Sequence, residues 1–191
     1  MTAALAVRRC AAPAEDGNSQ AAADRMEKKL AQIKEKGAGR NGLANPILLS
    51  EDEVNSYFEY RMGARIPRGV SQVRFRLHQD RVAGSALVDF EEVKAASRRP
   101  LNPLVDQLLS GKRPVTALGR FTSEKGTGMF HLEEVSLGSL ALRGLLLDLV
   151  VRHFVLPRYP RAAIDQPFRL PENIEQIVLE EGRALVRFPR R

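Results

Sequence analysis

The stretch that decides the fold is "SQVRFRLHQDRVAGSALVDF", Ser71–Phe90. In its first half Val73, Phe75 and Leu77 fall on one side of an extended chain. Gln72, Arg74, Arg76 and His78 fall on the other. Side chains of a strand point alternately to its two faces, so this period of two marks a strand covered on one face. "HQDR" supplies a turn, after which Val82, Gly84, Ala86, Val88 and Phe90 continue the apolar side. Two such runs joined by a short turn form an antiparallel hairpin.

The pattern recurs downstream. "PVTALGRFTSE" (114–124) is a third strand, with Val115, Ala117, Gly119 and Phe121 on one side. The turn "SEKGTG" leads into "MFHLEEVSLGSLAL" (129–142), which reads as a fourth. Its apolar parity switches between Leu132 and Val135, at Glu133 and Glu134. A bulge there restores the parity and keeps both halves facing inward. "NPLVDQLLSG" (102–111) reads as a short helix or turn. "RYPRAAIDQPFRLP" (158–171) suits an edge or crossing segment, and "IEQIVLEEGRALVRF" (174–188) a last hairpin turning at Glu181–Gly182.

Three segments read as helices. Residues 19–36 carry the narrow stripe Ala22, Met26, Leu30 and Ile33, ended by Gly37. A second helix starts at Ser50 with a capping box completed by Glu53, and ends by "GARIPRG". The third, 142–156, has Leu, Val or Phe at ten of fifteen positions. It is shorter than the roughly 20 residues that span a bilayer, and it carries Arg143, Asp148, Arg152 and His153. A helix apolar round most of its circumference needs cover on several sides. The expected fold is α+β: a strongly twisted antiparallel sheet of hairpins wrapped around this helix, with N-terminal helices. The expected organisation is a tail (1–18), a helix and linker (19–43) and one domain (44–191).

The small residues Gly84, Ala86, Ala117 and Gly119 on the inward face have two uses: close approach of a helix, or room for a ligand. The net charge of +7 raises nucleic acid or an anionic surface as partners. The excess is spread along the chain, and its densest cluster is Arg61, Arg65, Arg68, Arg74, Arg76 and Arg81. No nucleic-acid-binding signature accompanies it, so nucleic acid is not expected.

No catalytic constellation emerges. His78, His131 and His153 lack metal-ligand spacing, and the single cysteine, Cys10, can form neither an intrachain disulfide nor a zinc site. Glu133 and Glu134 alternate faces and cannot converge as an acid–base pair. "GKRPVT" (111–116) lacks the upstream glycine of a phosphate loop, and Ser110, Ser136 and Ser139 lack a nucleophile elbow. The chain reads as a non-enzyme with no cofactor and no metal. Its N-terminus, "MTAALAVRRCAAPAEDG", lacks the apolar run of a secretory signal, although "AAPA" would suit a cleavage region. That leaves a cytoplasmic protein, or an exported one whose signal is missed by the recorded start.

"ILLSEDEVNSYFEYRM", "PRGVSQVRFRLHQDRVAGSALVDF", "FHLEEVSLGSLAL" and "FRLPENIEQIVLEEGRALV" resemble, over residues 47–188, an uncharacterised family of bacterial envelope proteins. Their order is similar to the YpmS-like and LmeA-like groups, which resemble tubular lipid-binding (TULIP-like) domains. The resemblance implies a long helix in a curved antiparallel sheet, an apolar groove for lipid or another amphiphile, and a periplasmic or envelope location. It supplies no catalytic residues. The expected ligand-binding residues are Leu145, Leu149, Ala86, Val88, Ala117, Gly119 and Phe121. The six clustered arginines would contact headgroups or an anionic membrane surface. The alternative is a closed structural or adaptor domain that binds an acidic protein partner through its Arg-rich face.

Overall fold

In the computed structural model the described residues are 17–38, 45–95, 103, 106, 109–144, 147–148, 151–152 and 164–189. The first helix, α1 (Gln20–Gly37), is capped by the Ser19 hydroxyl, which accepts from the Ala22 N–H at 3.1 Å. Its last turn carries Lys34 and Lys36, which complement the negative end of the helix dipole. A short strand, β1 (Ile47–Ser50), runs into α2 (Glu51–Arg61), whose capping box forms as the sequence predicts: Ser50 and Glu53 satisfy each other's backbone N–H groups. A 3₁₀ turn, Gly63–Arg65, follows.

The strands β2 (Val70–His78), β3 (Arg81–Asp89), β4 (Lys112–Glu124), β5 (Thr127–Leu137) and β6 (Leu140–Leu142) form a continuous antiparallel sheet in sequence order. The strand β7 (Pro167–Arg169) pairs with the other end of β5. A second, three-stranded sheet has the order β1-β9-β8, with β8 at Gln176–Glu180 and β9 at Arg183–Arg187. The protein is therefore α+β, built on a large antiparallel sheet with few helices. The expected bulge is present. Leu118 faces Glu134 while Gly119 faces Leu132, so Glu133 is the extra residue. A second register shift lies between Ser71 and Arg74, where Gln72 has φ +53°.

Three expectations need correction. Phe90 does not end a strand: the Asp89 carboxylate accepts from the N–H groups of Glu91 and Glu92 and starts a helix, α3 (Phe90–Ala95), in which Phe90 is buried. Asp followed by two acids is a helix-start signal, and it outweighs the alternation. Residues 129–142 are not one strand, because the chain turns at Gly138 (φ +61°) and Ser139 into β6. The third helix therefore does not begin at Leu142, which belongs to β6. Leu147 and Asp148 are helical and Val151 and Arg152 adopt π-helical geometry, while 145–146, 149–150 and 153–156 lie outside the described residues. Residues 103 and 106, within the expected 102–111 segment, are helical.

Among the described residues, apolar side chains gather in two clusters. The first joins Met26 and Ile33 of α1 to Ile47, Leu77, Leu170, Leu179, Val186 and Phe188, with Tyr57 and Phe121 packed against it. The helix α1 thus shares a core with the strands. The second is smaller and gathers Phe90, Leu109, Leu137 and Leu142, flanked by Val88, Val115 and Val135. No helix among the described residues is long and apolar enough to cross a membrane.

Candidate functional site

The register fixes which side chains share a face. Phe75, Gly84, Ala117, Val135 and Leu142 align across β2–β6, and Leu77, Val82, Gly119 and Leu132 align across β2–β5. These make the apolar face. On the opposite face lie the rows Arg74, Ser85, Thr116, Ser136 and Arg76, Ala83, Leu118, Glu134. The next row is basic throughout: His78, Arg81, Arg120 and His131. Like charges directly opposite destabilise a sheet, and here three carboxylates separate them. Glu133, in the bulge, meets Arg81 at 2.9 Å and Arg120 at 3.3 Å, so the extra residue puts it on the same face as Glu134 instead of on alternate faces as the sequence suggests. Glu181 meets His78 at 3.0 Å, and Asp165 pairs with His131. The Arg81 guanidinium, helped by Arg120, holds the Glu133 carboxyl below its ordinary range, and Arg143 and Ser136 do the same for Glu134.

Two edge strands are closed by side chains instead of by other strands. On β2, the Asn55 amide donates to the Phe75 carbonyl at 2.9 Å and accepts from the Phe75 N–H at 2.7 Å, while Glu51 accepts from the Leu77 N–H at 2.7 Å. On β8, the Ser123 hydroxyl donates to the Ile177 carbonyl at 2.8 Å and accepts from its N–H at 2.7 Å. Unpaired strand edges invite association with other chains, and these contacts block both stretches. Behind them Glu53, 4% exposed, receives Lys29 at 2.7 Å and Arg25 at 3.5 Å. Burial works against its charge, but Lys29, the Ser50 N–H and Arg25 outweigh it and hold the carboxyl below the ordinary range. The fully buried Ser56 hydroxyl accepts from the Ser19 N–H at 3.1 Å and ties α1 to α2.

The expected ligand-binding residues do not converge on one cleft. Val88 packs against the smaller cluster and Phe121 against the larger, 6.4 Å from the Phe168 ring. Gly119 is buried under the Phe130 ring, which a Cβ there would meet at 2.3 Å. Ala86 and Ala117 are half-buried, and Leu145 and Leu149 lie outside the described residues. Among the arginines, Arg61 pairs with Asp24 and Glu27 of α1, Arg74 with Glu59 at 2.9 Å, and Arg81 with Glu133. Arg65, Arg68 and Arg76 are exposed and have no ion-pair partner among the described residues.

A cleft of about 660 Å³ opens between the end of α2, the 3₁₀ turn and the bulged start of β2. Phe58, Ile66, Val73, Ala86, Leu87 and Pro114 line it, together with Glu59, Gln72, Arg74 and Ser85. Arg65 and Arg68 flank Ile66 in the chain. A neighbouring cleft of about 320 Å³ shares Arg74 and Ser85 and continues past Arg76, Ala83 and Thr116. Sequence reasoning found Ala86 and Arg74 but missed Phe58 and Ile66, because their place in the wall depends on how α2 docks along the β2 edge. Among the described residues no three His, Cys, Asp or Glu side chains gather in a way that could hold a metal ion. Comparisons of the chain with protein-family models, with curated proteins and with solved structures found no match.

Proposed function

We propose that the protein binds a lipid or another amphiphile without transforming it. The supporting observation is the cleft of about 660 Å³, within the usual range of small-molecule sites. It sets six apolar residues beside an arginine that also reaches a second, more polar cleft. Burial of an acyl chain contributes about 0.8 kcal/mol per methylene, and the exposed Arg65, Arg68 and Arg76 offer contacts to an anionic surface. An envelope location rests on the resemblance of residues 47–188 alone.

Native mass spectrometry after incubation with phospholipid vesicles tests the reading. Discrete lipid adducts, lost in Ile66→Asp with the far-UV circular dichroism unchanged, are expected. A spectrum without adducts at any lipid composition would refute it.

A further inference from the structure

We infer that the site takes its ligand in one direction, with an oxyanion headgroup at Arg76, Ser85 and Thr116 and the alkyl chain toward Ile66 and Pro114. This rests on the amphiphile reading and adds the headgroup class and the orientation. The two clefts are halves of one groove, since Arg74 and Ser85 line both. From the Leu87–Pro114 pair to the Ala83–Leu118 pair the sheet advances four residues, about 13 Å along the strands. Character changes along that path. The Leu87 end is walled by Ile66 and Phe58, whereas the other end presents the hydroxyls of Ser85 and Thr116, the guanidinium groups of Arg74 and Arg76, the Asn55 amide and one carboxylate, Glu51.

The chemistry of the polar half favours an anion. Ser85 and Thr116 are direct partners across β3 and β4, and Arg74 is the partner of Ser85 across β2 and β3. Arg76 lies one row further on. The side chains of Arg76, Ser85 and Thr116 are exposed and have no hydrogen-bond partner among the described residues. The acids nearby are already engaged. Glu51 accepts from the Leu77 N–H, and Glu59 receives Arg74 at 2.9 Å and the Asn18 amide at 2.7 Å. A phosphate or carboxylate head can accept from all three donors in charge-assisted and neutral hydrogen bonds. A cationic head is repelled by the guanidinium, and an uncharged hydroxyl gains only the weaker hydrogen bond without the opposing charge.

Calorimetric titration of the full chain with dodecyl phosphate, dodecanoate, dodecanol and inorganic phosphate, all below their micelle concentrations, tests the inference. The two charged amphiphiles should bind about tenfold more tightly than dodecanol. Arg76→Gln, at an exposed position, should abolish that preference by weakening the two charged amphiphiles far more than dodecanol. Ile66→Asp should weaken all three alkyl ligands. Equal affinity for dodecanol and dodecyl phosphate, or no response to Arg76→Gln, would overturn the headgroup assignment while leaving amphiphile binding intact. Inorganic phosphate binding as tightly as dodecyl phosphate would overturn the orientation by showing an ion site without a tail. If no alkyl ligand binds, the amphiphile reading and this inference fall together.

Discussion

The two ends of the large sheet are held differently. At the end bearing α1, α2 and the β1-β9-β8 sheet, eleven buried apolar residues form one cluster, and Asn55 and Ser123 close the neighbouring strand edges. At the end bearing α3 and β6, four buried residues form the second cluster among the described residues. The Leu87–Pro114 part of the groove lies beside this second cluster, against which the adjacent Val88 and Val115 pack. If the two clusters open independently, a ligand entering the groove beside the second leaves the first undisturbed.

The largest expected effect breaks or supports that comparison directly. Leu179 and Leu142 are both buried leucines, 7% and 0% exposed. Leu179→Ala should cost about 2–5 kcal/mol of global stability and speed hydrogen exchange in both sheets. Leu142→Ala removes the same atoms, yet it should speed exchange mainly in β5, β6 and α3 and leave β8 and β9 protected. Equal loss of protection everywhere would mean that the two ends unfold as one unit.

Next in size is Asn55→Ala. It strands the N–H and the carbonyl of Phe75 on the β2 edge, at about 1–3 kcal/mol for an unsatisfied group. The Phe75 amide should exchange faster, and the Phe58–Phe75 contact, with ring centroids 4.6 Å apart, should loosen. A silent Asn55→Ala would show that α2 is held to the sheet by apolar packing alone.

Glu53 sharpens the comparison through pH. Its carboxyl is held below the ordinary range in the folded chain. Its contribution to stability is therefore present above the unfolded value, about 4.3, and is lost as pH falls through the lower folded value. Acid titration should loosen α1 from α2 before it disturbs α3, followed by exchange at the Ala22 and Glu53 amides. Glu53→Gln should flatten that acid dependence. An unchanged acid profile would place the acid sensitivity elsewhere.

Periodicity made the strands legible because alternation is a local property. The register followed where turns and parity constrain it, as at Glu181–Gly182 and in the bulge. Removing Glu133 from the alignment leaves Leu132 opposite Gly119 and Glu134 opposite Leu118 with no side chain changing face, which is why the parity switch disclosed it. The site was less legible. The groove depends on where α2 and the 3₁₀ turn dock, and the bonds that dock them run from Asn55 and Glu51 to backbone atoms twenty or more residues away. Nothing in the spacing of "SEDEVNSYF" distinguishes an asparagine that caps a strand edge from one on a solvated helix face. The small residues gave an ambiguous signal for the same reason: Gly119 accommodates the Phe130 ring from the neighbouring strand.

The smallest effect is expected at Glu133, which answers a different question about the two ends. Its ion pairs with Arg81 and Arg120 sit on the open face, where solvent and salt screen them. If the bulge exists to place a carboxylate between two facing arginines, Glu133→Gln should lower the melting temperature slightly at low salt and at pH above the ordinary carboxylate range. The difference should vanish as pH falls through the depressed folded value, and again as salt rises to about 0.5 M. If the bulge exists instead to bend β5, the substitution should change nothing under any condition, because the backbone keeps its extra residue. The low-salt comparison separates these two roles. It also shows whether the scaffold owes anything to charges on the open face, or stands on its buried core and closed edges alone.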